Sequence, residues 1–240
     1  MLTPRLVARP DRADCVVSYT GSCARFWRGI NRAMLTVLVL LLAGVSPAAA
    51  ERITLVAFGD SLVAGYGLPA EEGFVPQLQV WLDARGHEVE VINAGVSGDT
   101  TTAGLARLDW TTPAEADAVL LELGANDALR GIDPSIAREN LDQMIARFKE
   151  KGLAVMLAGM YAPRNWGPEY VTEFEAIYPD LAEKHDVQLY PFFLEGVAAD
   201  QGMNQPDGIH PNKDGVAVLV ETIGPEIEKF LARLTPQPTQ

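Results

Sequence analysis

The amino-acid sequence predicts a single α/β domain with a parallel sheet wound right-handed, and three observations point there. From Arg52 onward, short β-branched or apolar runs alternate with longer stretches of helical period. Several runs are apolar throughout, the pattern of strands whose two faces are both covered by helices. Gly86 and Gly152 each stand just before such a run, where a preceding helix should stop.

The strand candidates, in order, are Ile53–Phe58, Glu88–Ile92, Ala118–Leu123, Ala154–Leu157 and Val187–Tyr190. Between them lie four amphipathic stretches. Phe74, Leu78, Trp81 and Leu82 mark the first apolar face, and Ile136, Leu141, Met144, Ile145 and Phe148 the second. Phe174, Ile177, Tyr178 and Leu181 mark a third, and Val218, Ile223, Ile227 and Phe230 a fourth. At 240 residues the chain can bury one substantial core. An apolar share of 48% with 21% charged residues is that of a globular domain, and no repeat, heptad or low-complexity tract is present.

Residues 1–50 read differently. Six arginines (Arg5, Arg9, Arg12, Arg25, Arg28 and Arg32) face only Asp11 and Asp14, and the apolar run Met34–Val45 leads into Ser46-Pro47-Ala48-Ala49-Ala50. A basic region, an apolar stretch and a small-residue end are the parts of an export signal cleaved after Ala50. As a membrane anchor the run is too short: twelve residues span about 18 Å as helix against a hydrocarbon core of roughly 30 Å. A start at Met34 would discard every preceding arginine. The expected product, residues 51–234 with a frayed 235–240 tail, is exported to the periplasm or beyond. Cys15 and Cys23 leave with the leader, so the mature chain has no disulfide and no Cys-based metal site. Loss of the leader leaves 13 basic and 30 acidic residues, a net charge of −17 against −13 for the whole chain. Such a body is repelled by phosphate backbones, which argues against nucleic-acid binding.

Active sites of parallel sheets gather beyond the carboxyl ends of strands. Three polar segments lie there: Gly59-Asp60-Ser61-Leu62, Asn93-Ala94-Gly95-Val96-Ser97-Gly98-Asp99-Thr100, and Gly124-Ala125-Asn126-Asp127. A fourth, Asp207-Gly208-Ile209-His210-Pro211, comes late in the chain. Ser61 alone reads first as part of a helix cap, and a hydroxyl is a poor nucleophile without an adjacent base. His210 supplies the base in a loop punctuated by Gly and Pro, and Asp207 can turn back to fix its tautomer. The remaining histidines, His87 and His185, lie near helix ends and read as solvent-facing. The Gly98 N–H, the Asn126 amide and the Ser61 N–H are donors of the kind an oxyanion needs, though a tight turn and an Asx-turn explain Gly98 and Asn126 singly. With no cysteine and no second histidine nearby, Asp207 and His210 lack the partners for a metal site, and no cofactor is implied.

Five blocks carry a resemblance: FGDSLVAGYGL (58–68), NAGVSGDTTTAGLARL (93–108), LELGANDALRG (121–131), FEAIYPDLAEKHDVQLYPFF (174–193) and DGIHPN (207–212). Across about residues 53–232 the chain resembles the SGNH (GDSL-type) hydrolases, and among them the arylesterase, acyl-CoA thioesterase I and lysophospholipase L1 group. The resemblance implies a flavodoxin-like three-layer α/β/α fold on a central five-stranded parallel sheet. It implies Ser61 as nucleophile, Asp207 and His210 as its partners, and Ser61, Gly98 and Asn126 as oxyanion donors. Ala125 departs from the family pattern, where glycine is common, and leaves the local backbone less free. The resemblance also implies that the loop 161–170 borders an acyl pocket, with Arg164, Asn165 and Trp166 as candidate substrate contacts and Leu129 on the opposite wall. Asp99 is a further candidate contact, although Asp60 and Asp99 read first as loop holders that accept backbone N–H bonds. The expected partner is a small acyl ester or thioester, with no stable membrane anchor. An acyltransferase or carbohydrate deacetylase working through the same site, and a non-catalytic binding domain, are the alternatives. A Gly-x-Ser-x-Gly elbow is absent, which disfavours the α/β-hydrolase fold. Oligomeric state and acyl chain length are not legible at this level.

Overall fold

The computed structural model describes residues 52–234. Residues 1–51, which include the expected export signal and both cysteines, and residues 235–240 lie outside the described residues. Five strands form one parallel sheet: β1 (Ile53–Gly59), β2 (Val89–Gly95), β3 (Ala118–Glu122), β4 (Ala154–Ala158) and β5 (Gln188–Tyr190). Their order is β2-β1-β3-β4-β5, so the direction of winding reverses between β1 and β3. Leu55–Phe58 and all of β3 are buried, as their unbroken apolar runs require.

Eight helices of the described residues connect and flank these strands: α1 (Ser61–Ala64), α2 (Phe74–Asp83), α3 (Thr101–Thr111), α4 (Ala125–Leu129), α5 (Pro134–Glu150), α6 (Pro168–Glu175), α7 (Ile177–His185) and α8 (Lys213–Ala232). Contact between α2 and α8 builds one group; α5 packs with both α3 and α7 in another. The sheet with its flanking helices is the expected α/β/α arrangement. Among the described residues no helix is long and apolar enough to cross a membrane.

Two elements differ from expectation for identifiable reasons. β2 begins one residue later than expected and runs three further, because Asn93, Ala94 and Gly95 continue the register with Ala57, Phe58 and Gly59 of β1. The third amphipathic stretch is two helices, α6 and α7. Pro179 lacks the N–H that would bond the carbonyl of Glu175, so one continuous helix cannot form there. All four apolar residues of that stretch remain buried. In α5 the expected face is buried except for Ile136, which is 44% exposed at the helix start. Gly86 and Gly152 take φ of 77° and 84° where α2 and α5 give way to the next strand.

Candidate active site

Ser61 follows β1 directly. Asp60 caps α1, its Oδ1 accepting the Leu62 N–H at 3.0 Å, and Ser61 is the first helical residue, 9% exposed. The short helix lies hard against β2: a Cβ at Gly95 would stand 2.3 Å from the Ala64 nitrogen, so only glycine fits there. His210 arrives from the connection between β5 and α8. Asp207 Oδ1 accepts the Ile209 and His210 N–H groups, both at 3.0 Å, which folds the loop back on itself. Its Oδ2 is 2.7 Å from His210 Nδ1, and His210 Nε2 is 2.9 Å from Ser61 Oγ. An ionised carboxylate accepts from Nδ1–H, which leaves Nε2 to accept the serine hydroxyl proton. The His210 bond, then the Ile209 N–H, holds Asp207 down at about 2, so it is charged wherever the histidine can act.

Around this row stand the hydrogen-bond donors. Asn126, in the first turn of α4, donates from Nδ2 to Asp60 Oδ2 at 3.0 Å. Gly98 turns with φ 86°, and its carbonyl accepts from Arg130 at 2.9 Å. Among the described residues neither the Ser61 nor the Gly98 N–H has a protein acceptor. Ser61, Asn126 and His210 line one cleft, whereas Gly98, in the turn after β2, is not among its lining residues. That turn is tied to β1 twice. The Val96 N–H donates to the Gly59 carbonyl at 3.0 Å, and Arg107 donates to the same carbonyl at 2.8 Å while bonding Asp99 at 2.6 Å.

Beneath the serine lies a pair of buried acids. Glu122, the last residue of β3, accepts the Asp60 N–H at 3.2 Å. Burial pushes the Asp60 carboxyl up to about 6 against the pull of its hydrogen bonds, and burial beside Asp60 drives Glu122 well above the usual carboxylate range. Sequence reading passed over Glu122, although an acid inside an apolar strand was a visible signal. Arg107 gives no such signal, because an arginine on a helix is usually solvated.

The cleft has a volume of about 540 Å³ and is walled by Leu62, Leu129, Met160, Tyr161, Phe192 and Leu194 among others. Tyr161 and Phe192 stack with centroids 4.2 Å apart. Arg164 reaches the wall and pairs with Glu175 at 3.0 Å. Three other candidate contacts are not among the lining residues. Asp99 is turned to Arg107, so it holds its loop through a guanidinium rather than a backbone N–H. Trp166 donates to the Ala128 carbonyl at 2.8 Å and covers Gly131, and Asn165 is exposed. His87 and His185 face acids rather than open solvent: Glu228 at 2.6 Å and Asp142 at 2.5 Å.

A flavodoxin-like sheet with a Ser–His–Asp hydrogen-bonded row at its switch point belongs to the class of α/β hydrolytic folds. Comparison with known proteins narrows that class. Residues 57–218 match the GDSL-like lipase/acylhydrolase family. Esterase TesA of Pseudomonas aeruginosa is 40% identical over 201 residues, 83% of this chain and 100% of that protein. The thioesterase 1/protease 1/lysophospholipase L1 of Escherichia coli K12 is 36% identical over 206 residues, 85% of this chain and 97% of that protein. The crystal structure of AlinE4, an SGNH-hydrolase family esterase, superposes with a TM-score of 0.64 at 43% identity, covering 76% of this chain and 98% of that one. The chain belongs to the SGNH/GDSL-type hydrolase family and is a carboxylic ester hydrolase of the esterase/thioesterase type.

Proposed function

We propose that this esterase works through an acyl-enzyme on Ser61, with Asp207 and His210 completing a triad. Ser61 Oγ attacks the acyl carbonyl as His210 Nε2 takes its proton, and Asp207 stabilises the imidazolium that forms. The Ser61 and Gly98 N–H groups and the Asn126 amide receive the developing oxyanion. His210 then protonates the leaving alcohol or thiol, and water repeats the cycle on the acyl group. The observation that carries this reading is the unbroken row from Ser61 Oγ through His210 to Asp207, with separations of 2.9 and 2.7 Å.

The mostly apolar wall of the cleft supports an acyl chain as the group bound, with aryl esters, acyl thioesters and lysophospholipids as substrates. Leu129 and Arg164 contact the substrate from opposite sides of this wall. Residues 1–50 act as an export signal, so the enzyme meets its ester outside the cytoplasm and without a stable membrane anchor. The test is hydrolysis of a p-nitrophenyl ester chain-length series beside matched thioesters and lysophospholipid. Ser61→Ala and His210→Ala abolish turnover of every member while the fold melts as wild type. Near-wild-type rates in either variant would falsify the mechanism.

A further inference from the structure

Beyond the triad, one aromatic ring lies against the imidazole and has no part in the chemistry so far described. α1 ends at Gly65, and the Tyr66 N–H donates to the carbonyl of Ser61 itself at 3.1 Å. The Tyr66 ring thereby reaches His210, with centroids 4.6 Å apart and planes inclined by 39°. Its hydroxyl makes no hydrogen bond among the described residues, and the side chain is half exposed. Gln205 fastens this contact from the histidine side. Its Nε2 donates to the Tyr66 carbonyl at 2.7 Å and to the Pro211 carbonyl at 3.0 Å, while its backbone N–H donates to the His210 carbonyl at 2.7 Å. One glutamine thus joins the segment carrying Ser61 to the loop carrying His210.

We propose that Tyr66 is a positioning residue for the reaction: its ring lies on the imidazole, keeps His210 aligned with Ser61, and favours the imidazolium formed as serine attacks. The proposal rests on the triad reading. Two hydrogen bonds fix the imidazole along its edge, at Nδ1 and Nε2, but neither stops the ring from swinging out of its plane. An aromatic face within about 6 Å also attracts a cation, and this cation exists only after proton transfer. The contact is therefore stronger in the transition state than in the resting enzyme, which places its effect in kcat.

Tyr66→Ala and Tyr66→Phe, measured with a p-nitrophenyl butyrate substrate beside wild type and Ser61→Ala, test this. Alanine is expected to lower kcat by about 5- to 20-fold with KM changed less than about twofold, the range a partly exposed cation–aromatic contact supports. Phenylalanine restores kcat, because the ring and not the hydroxyl is used. The reaction of Ser61 with a fluorophosphonate slows in parallel in the alanine variant, and its melting temperature stays near wild type. A wild-type kcat in the alanine variant, a change in KM alone, or a phenylalanine variant as slow as alanine each overturns the proposal. Activity surviving in Ser61→Ala would instead remove the triad reading beneath it.

Discussion

Two aspartates flank the proposed serine–histidine pair, and they sit in opposite kinds of surroundings. Asp60 is fully buried, and burial pushes it up to about 6. Asp207 has a side chain 39% exposed, and its bonds from His210 and the Ile209 N–H hold it at about 2. Asp60 accepts one backbone N–H and the Asn126 amide, Asp207 two backbone N–H groups and the imidazole, and one further hydrogen bond is only part of what distinguishes them. Solvation supplies the rest: water screens Asp207, while the apolar core around Asp60 penalises its charge. The serine half of the site is consequently fixed by the core. The histidine half is held by a local loop and by the Gln205 clamp. Under the proposed mechanism, the chemistry that needs a mobile proton is on the wet side, and the chemistry that needs fixed dipoles is on the dry side.

The sharpest challenge to this division is Asp207→Ala. If Asp207 acts only on its histidine, kcat for a p-nitrophenyl ester falls on the order of 10³–10⁴-fold. Thermal melting should fall only modestly, since the loop loses the acceptor of the Ile209 and His210 N–H groups but the core is untouched. A large drop in melting temperature with a small drop in kcat would reverse the roles given to the two halves. On the dry side, Asn126→Ala should lower kcat by about 10²–10³-fold, the usual effect of losing one oxyanion donor. KM is expected to change little, because the donor acts on charge that the ground state lacks. An effect confined to KM would make Asn126 a substrate contact instead.

The wet half was the more legible in the sequence. Asp207 and His210 stand in a loop marked by Gly208 and Pro211, which reads as an Asp-Gly turn until it is set beside Ser61; on the dry side only Ser61 and Asn126, just past apolar strands, were equally visible. The rest of the dry half hid inside patterns that look purely structural. Glu122 falls within a strand whose other residues are all apolar, and Arg107 lies on a helix, where a cation is ordinarily solvated. The wall residues Met160, Phe192 and Leu194 are of the same chemical type as the core, so no periodicity separates a cleft from an interior. Arrangement of the sheet was readable because strand and helix periods differ, whereas the break between α6 and α7 depended on a single proline.

Asp60→Asn makes a smaller change and separates the two functions of the buried acid. A carboxylate accepts on both oxygens, and here one takes the Leu62 N–H and the other the Asn126 amide. An asparagine accepts on one oxygen only, so either the α1 cap or the orientation of Asn126 loses its partner. The expected fall in kcat is about tenfold, less than deleting Asn126, because Asn126 remains but is no longer held. Stability should respond in the opposite sense with pH. The folded-state value of Asp60 is raised above its ordinary value, so its favourable contribution is complete below about 4 and is lost as pH rises through about 6. Above that, the wild type carries a buried charge that the asparagine variant does not. The stability difference between them should therefore shift toward the variant between pH 4 and pH 8, by no more than about 3 kcal/mol. Urea unfolding of both proteins at the two pH values measures this. Parallel pH dependences would mean that Asp60 is already charged at pH 4 in the folded protein, and the contrast with Asp207 would vanish.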